Sequence, residues 1–174
     1  MCQSGNPKNV FTGPIASASS SSRRTTREEL YRDLVFSLSR RSTCKRAKVG
    51  AIVVQGHHVI GMGYNGSPPG YPHCLDVGCW HLPTTSDRCR GTIHAEMNAI
   101  LNAATSDGGL SGGDLSLWSS LRPCIDCLKA AVVSGISHVY YFEHREDPEA
   151  AAFELYLKNG HERTHMRVEY VTHL

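Results

Sequence analysis

Four residues in two short motifs carry the chemistry that this chain can do. His94 and Glu96 belong to His94-Ala95-Glu96, and Cys124 and Cys127 belong to Pro123-Cys124-Ile125-Asp126-Cys127. Two thiolates at Cys-x-x-Cys spacing on the first turn of a helix can reach one ion together, and a histidine from a neighbouring helix makes three protein ligands for tetrahedral zinc. Three ligands leave the fourth position open to water, unlike a closed structural site. The cation and two helix N-termini would lower the pKa of that water toward neutrality. Glu96, two residues beyond the histidine, can project into the same pocket without ligating the ion. Such a carboxylate would take a proton from the water, pass it to the substrate and supply one to the leaving group, which is hydrolysis. Taken singly, the motifs have ordinary readings. A lone histidine is most often structural, and a lone Cys-x-x-Cys is half a zinc clip or a redox pair.

Helices and strands must bring these motifs together. The chain of 174 residues has the length of one ordinary domain, and its 40% hydrophobic content suffices for a core. Residues 1–24, with the serine run Ser19 to Ser22 and no acidic side chain before Glu28, read as a disordered Ser-rich tail, and 25–174 as the folded domain. The tail's acid-free, Ser/Arg-rich composition loosely resembles a transit peptide but lacks the amphipathic face of one. Thr26 and Glu29 form a capping-box pattern ahead of Leu30, Leu34, Val35 and Leu38, which predicts a helix ending near Arg40. Val49–Gln55 and Val59–Tyr64 read as two antiparallel strands, and residues 65–91 as a long loop with little apolar periodicity. Helices are expected over Ile93–Ala104, from Pro123 to Gly135 and over Pro148–Lys158, with strands at Leu115–Ser119, His138–Phe142 and Val168–Val171. Alternation of strand and helix in the second half implies parallel neighbours, and hence a three-layer α/β/α sandwich on a mixed five-stranded sheet.

The pairing of H-x-E with P-C-x-x-C is a signature of zinc-dependent nucleobase deaminases. From Leu30 to Tyr141 the chain resembles the deoxycytidylate (dCMP) deaminases of the cytidine deaminase superfamily. The resemblance also rests on Ser42-Thr43-Cys44-Lys45-Arg46-Ala47-Lys48-Val49-Gly50-Ala51, Gly63-Tyr64-Asn65-Gly66-Ser67-Pro68 and Thr92-Ile93-His94-Ala95-Glu96-Met97-Asn98-Ala99-Ile100. It implies zinc held by His94, Cys124 and Cys127, Glu96 as the proton carrier, and conversion of dCMP and water to dUMP and ammonia in thymidylate supply. Asn65 becomes the candidate for sugar recognition, and Gly63, Tyr64 and Gly66 mark a candidate effector region. The basic pair Arg46 and Lys48 would meet the 5′-phosphate, although basic residues beside a strand are commonly just solvated. Tyr141 ends a predicted parallel strand, where ligands gather, but an aromatic there serves equally as core. The segment before the cysteines departs from the family's usual pattern, with Ser119 and Ser120 as candidate hydroxyl donors. A homo-hexamer activated by dCTP and inhibited by dTTP is further implied.

The chain holds seven cysteines, an odd count that suits a complete disulfide framework poorly and metal binding better. Cys44, Cys74, Cys79 and Cys89 suggest a second, closed zinc site, with His73 or His81 able to replace one cysteine; the other reading is reduced thiols in a cytosolic protein. A formal net charge of +2 does not suggest a polynucleotide or membrane surface. The N-terminus lacks the apolar stretch of a secretory signal, so a cytoplasmic location is expected. The rival readings are a deaminase of dCTP, modified dCMP or deoxycytidine, a nucleic-acid-directed editor or DNA-uptake accessory protein, and a non-catalytic zinc protein. The last would have little use for Glu96.

Overall fold

The computed structural model describes residues 23–79, 91–159 and 166–172. Cys2, His81, Cys89 and the tail up to residue 22 lie outside the described residues. The first helix, α1 (Arg27–Ser39), starts at the expected capping box: Glu29 N donates to Thr26 Oγ1 at 3.2 Å, and Thr26 N donates back to the Glu29 carboxylate at 2.7 Å. Strands β1 (Gly50–Gln55) and β2 (His58–Tyr64) form the expected antiparallel pair. A one-turn helix, α2 (Cys74–Val77), interrupts the predicted loop. Then follow α3 (Ala95–Thr105), β3 (Leu115–Leu121), α4 (Ile125–Val133), β4 (His138–Glu143), α5 (Pro148–Asn159) and β5 (Arg167–Tyr170).

The strands form one mixed sheet in the order β2-β1-β3-β4-β5. β1 runs antiparallel to β2 and β3, whereas β3, β4 and β5 are parallel, each pair joined by a helical crossover. Alternation along β1 feeds two cores. Ala51 and Val53 pack with Ala95, Ala99 and Leu128 from α3 and α4 on one face. Ile52 and Val54 pack with Tyr31 and Val35 of α1, Trp118 and Phe142 on the other. Burial on both faces explains the continuous apolar run of β1. The three-layer α/β/α sandwich on a five-stranded sheet is therefore the fold observed. Among the described residues, no helix is long and apolar enough to cross a membrane.

Most boundaries fall within a residue or two of expectation, and the shifts that matter lie beside the chemistry-bearing motifs. α3 begins at Ala95, not Ile93, because Ile93 exchanges backbone hydrogen bonds with Gly66 (2.9 and 3.1 Å) and is held extended. β3 continues to Leu121, which pairs with Glu143 of β4. With α3 starting at Ala95 and α4 at Ile125, His94 and Cys124 stand at helix caps instead of within a first turn.

Candidate active site

His94 is the N-cap of α3 and Cys124 the N-cap of α4. Neither side chain caps its own helix, so both are available to the space between the helices. His94 Nδ1 lies 3.4 Å from Cys124 Sγ and 3.5 Å from Cys127 Sγ. A tetrahedral ion with Zn–S of ~2.3 Å and Zn–N of ~2.0–2.1 Å requires N···S edges of roughly 3.5 Å. Both N···S edges thus match those that zinc requires, and all three ligand atoms lie within 4.8 Å of one another. Among the described residues they are the group of His, Cys, Asp and Glu whose ligand atoms lie close enough to share an ion.

The electrostatics favour a cation. Cys124 is held well below the ordinary thiol range, at about 3, first by a hydrogen bond from Cys127 and then by His94, against the cost of burial. The same hydrogen bond, burial and the nearby Glu96 carboxylate push the Cys127 thiol up. The pair therefore yields one thiolate readily and needs a strong positive charge to yield the second.

Glu96 follows in the first turn of α3 and is 4% exposed. Its Oε1 is 3.4 Å from the Ser119 hydroxyl and its Oε2 3.7 Å from Cys127 Sγ. Burial raises its pKa, opposed by the positive pull of His94. A carboxyl so placed holds a proton more readily than a solvated one, as a proton carrier must. The two serines flanking the predicted motif face different partners: Ser119 meets Glu96, and the Ser120 hydroxyl accepts from Gly50 N at 3.1 Å. Neither contact requires a substrate.

The cleft above Glu96 is lined by Ala47, Asn65, Thr92, Leu121, Arg122 and Arg145, among others. Leu121 and Arg122 close the C-terminal end of β3, and Arg145 follows that of β4, the edge where α/β sheets bind ligands. Asn65 is 6% exposed and spans the wall; its Oδ1 accepts from Val49 N at 2.8 Å and its Nδ2 donates to Ala47 O at 2.9 Å. One N–H and one lone pair of its amide remain beyond these two bonds.

The other expected residues lie around this cleft to different degrees. Arg46 and Lys48 are exposed, and it is Ala47 between them that lines the cleft. Tyr141 is buried within the sheet, stacked on Tyr170 at 5.3 Å, and is not among the lining residues. Gly63 is a close-approach position: a Cβ there would stand 2.3 Å from Ala95 O, so glycine lets α3 settle onto β2. Asn98 Nδ2 then bonds Tyr64 O at 2.8 Å, and Gly66 bridges Ile93. This segment therefore positions the start of α3. Cys44 and Cys74 are both buried, in segments joined by a bond from Leu75 N to Thr43 O of 3.2 Å, while Cys79 is exposed.

Sequence reasoning missed Arg122 and Arg145. Arg122 sits beside the Pro-Cys motif, but no motif marks Arg145, whose place in the cleft follows from β4 ending two residues before it.

Known proteins resemble this chain over the region that holds the His94, Cys124 and Cys127 cluster. Residues 25–143 match the cytidine and deoxycytidylate deaminase zinc-binding region. ComE operon protein 2 of Bacillus subtilis (strain 168) is 44% identical over 106 residues, covering 61% of this chain and 53% of that protein. This chain thus spans about half the length of that relative. The deoxycytidylate deaminase of Mycobacterium phage D29 is 34% identical over 122 residues, covering 66% of this chain and 92% of the phage protein. Among solved structures, the dCMP deaminase from cyanophage S-TIM5 in complex with dCMP and dUMP superposes with a TM-score of 0.64 at 29% identity, over 85% of this chain and 100% of its own. With the matched region spanning β1 to β4, both helix caps and the His94, Cys124 and Cys127 cluster, the chain belongs to the family defined by the cytidine and deoxycytidylate deaminase zinc-binding region.

Proposed function

We propose that this chain hydrolyses dCMP to dUMP and ammonia. The observation that carries the reading is the His94 Nδ1 with two cysteine sulfurs at tetrahedral spacing beside the buried Glu96. Deoxycytidylate deaminases among the relatives, and a neighbour holding dCMP and dUMP, supply the substrate.

His94, Cys124 and Cys127 would hold the ion. Zinc, when bound there, acidifies water and so supplies a nucleophile at neutral pH. Glu96 is the group placed to take a proton from the attacking water and pass it to N3 of the ring as the water's oxygen adds to C4. It then takes the remaining proton from the oxygen now on C4 and delivers it to the exocyclic nitrogen, so that the C4–N bond breaks, ammonia leaves and the C4 carbonyl forms. Ser119, through its hydroxyl, holds one oxygen of the carboxylate while the other faces Cys127. Asn65 offers its remaining amide valences to the sugar, and Arg46 and Lys48 stand outside the wall on the approach to it.

The remaining parts of the reading rest on family resemblance. They comprise a homo-hexamer, with activation by dCTP and inhibition by dTTP near Gly63, Tyr64 and Gly66; the cytoplasmic location and the folded domain over 25–174 rest instead on composition. A second zinc held by Cys44, Cys74, Cys79 and Cys89 also belongs to the proposal. It is supported by the burial of Cys44 and Cys74 in adjoining segments. An ammonia assay across dCMP, dCTP, CMP and deoxycytidine tests the substrate: dCMP should be turned over best, and turnover of another member with none of dCMP would overturn it.

A further inference from the structure

We infer that Glu154 is a positioning residue of the active site: it clamps Arg122, two residues before Cys124, and so fixes the turn that carries both cysteines to His94. The inference rests on the metal reading above. It also brings α5, which lies beyond the matched residues 25–143, into the site.

The acid stands where α5 should be apolar. Ala150, four residues earlier, and Leu157, three residues later, are both buried in the larger core. Those spacings share one helix face, so Glu154 occupies the inward stripe of α5. A carboxylate there is costly unless a cation meets it. Arg122 meets it: Nε and Nη2 both donate to Glu154 Oε1, at 3.0 and 2.9 Å, between side chains that are 6% and 13% exposed. Charge-assisted bonds in so dry a setting fix geometry, and loss of one partner leaves the other charge unmatched.

What the pair holds in place is the approach to the cysteines. β3 ends at Leu121, and Arg122 N donates to Glu143 O at 2.8 Å, which ties its backbone to β4. Pro123 then fixes φ, and Cys124 opens α4 as its N-cap. Arg122 is thus anchored twice, by its backbone to the sheet and by its side chain to α5. The same residue lines the cleft with His94 and Glu96. Released from Glu154, its guanidinium would seek water in that cleft, and the Pro-Cys turn would lose its outer brace.

A pair that served the fold alone would change stability and leave metal binding as it is. The test therefore titrates cobalt(II), which stands in for zinc and reports ligand geometry by visible absorption, into the full chain against a competing chelator. Glu154→Ala, Arg122→Ala and their double variant are compared with Leu157→Ala, which unpacks the same helix without touching the clamp. Chemical denaturation reads the stability of each. Glu154→Ala should lower cobalt affinity about tenfold or more, the scale of a lost partner outside the ligand set, and should alter the absorption band. Arg122→Ala should match it and the double variant should add nothing, because Glu154 acts through Arg122. Leu157→Ala should lose stability but keep cobalt affinity and spectrum. An affinity loss in Glu154→Ala no greater than in Leu157→Ala, or effects of the two clamp variants that simply add, overturns the inference while the metal site stands. Wild type that binds no cobalt would remove the metal reading and the clamp's role with it. Should Glu154→Ala fail to fold, Glu154→Gln, which keeps the shape and drops the charge, carries the same comparison.

Discussion

Two groups of cysteines in this chain share a residue type but not a scaffold. Cys124 and Cys127 sit at the N-terminus of α4, against the N-terminus of α3, and both helices are fastened to the sheet by the larger core. Their sulfurs meet His94 at distances that an ion would choose. Cys44 and Cys74 lie in adjoining segments outside the sheet, joined through Leu75 N to Thr43 O, and Cys79 is exposed. The first group is preorganised by packing; the second would need its own ion to become a site. The loop group is still tied to the cleft wall, because Thr43 N donates to Asn65 O at 3.3 Å.

The largest effect should come from Glu96→Gln, which keeps the shape of the side chain and removes its ability to move a proton. Turnover should drop by about two to four orders of magnitude with zinc content unchanged. Near-normal turnover would detach the site from the chemistry. Cys124→Ala and Cys127→Ala should each lose zinc and activity together, read by elemental analysis alongside the assay. A metal-free, active variant would erase the distinction between the two cysteine groups.

Gly63→Ala probes the scaffold behind the first group. Its Cβ would meet Ala95 O at 2.3 Å, so α3 must move; overpacking of this kind costs typically about 1–3 kcal/mol of stability. Chemical denaturation should show that loss, and zinc affinity should fall with it because His94 begins the same helix. Unchanged stability would mean that the approach of α3 to β2 is not tight. The smallest effect should come from Cys74→Ser. If the loop holds a second ion, wild type carries about two zinc ions per chain, one per ligand set, and the variant loses one while retaining turnover. A single ion in wild type and no change in the variant would make the loop cysteines plain thiols.

Much of the fold and site is legible in the amino-acid order because period and punctuation agree with chemistry. The capping box at Thr26 and Glu29, the β-prone runs in β1 and β4, and Pro123 ahead of the cysteines all mark elements that the fold contains. His94, Glu96, Cys124 and Cys127 can be paired from the sequence alone because their spacing is local to two motifs. What stays hidden depends on tertiary contact. Ile93 reads as helical by its local pattern, but its ladder with Gly66 holds it extended. Gly63 reads as part of a ligand motif, yet its lack of a Cβ serves the approach of α3. Ser119 and Ser120 are neighbours in sequence but face opposite partners, as adjacent strand residues do. Tyr141 illustrates the limit most simply, since position at a strand end does not determine whether a side chain meets the cleft or the core.

The central claim, that this site replaces the amine of dCMP with oxygen from water, is tested most directly by running the reaction in oxygen-18 water. Mass spectrometry of the nucleotide product and an ammonia assay are read on the same sample. The expected result is one solvent oxygen at C4 of each dUMP and one ammonia released per dUMP formed. Product without solvent oxygen, or dCMP left intact by the zinc-loaded chain, would contradict it.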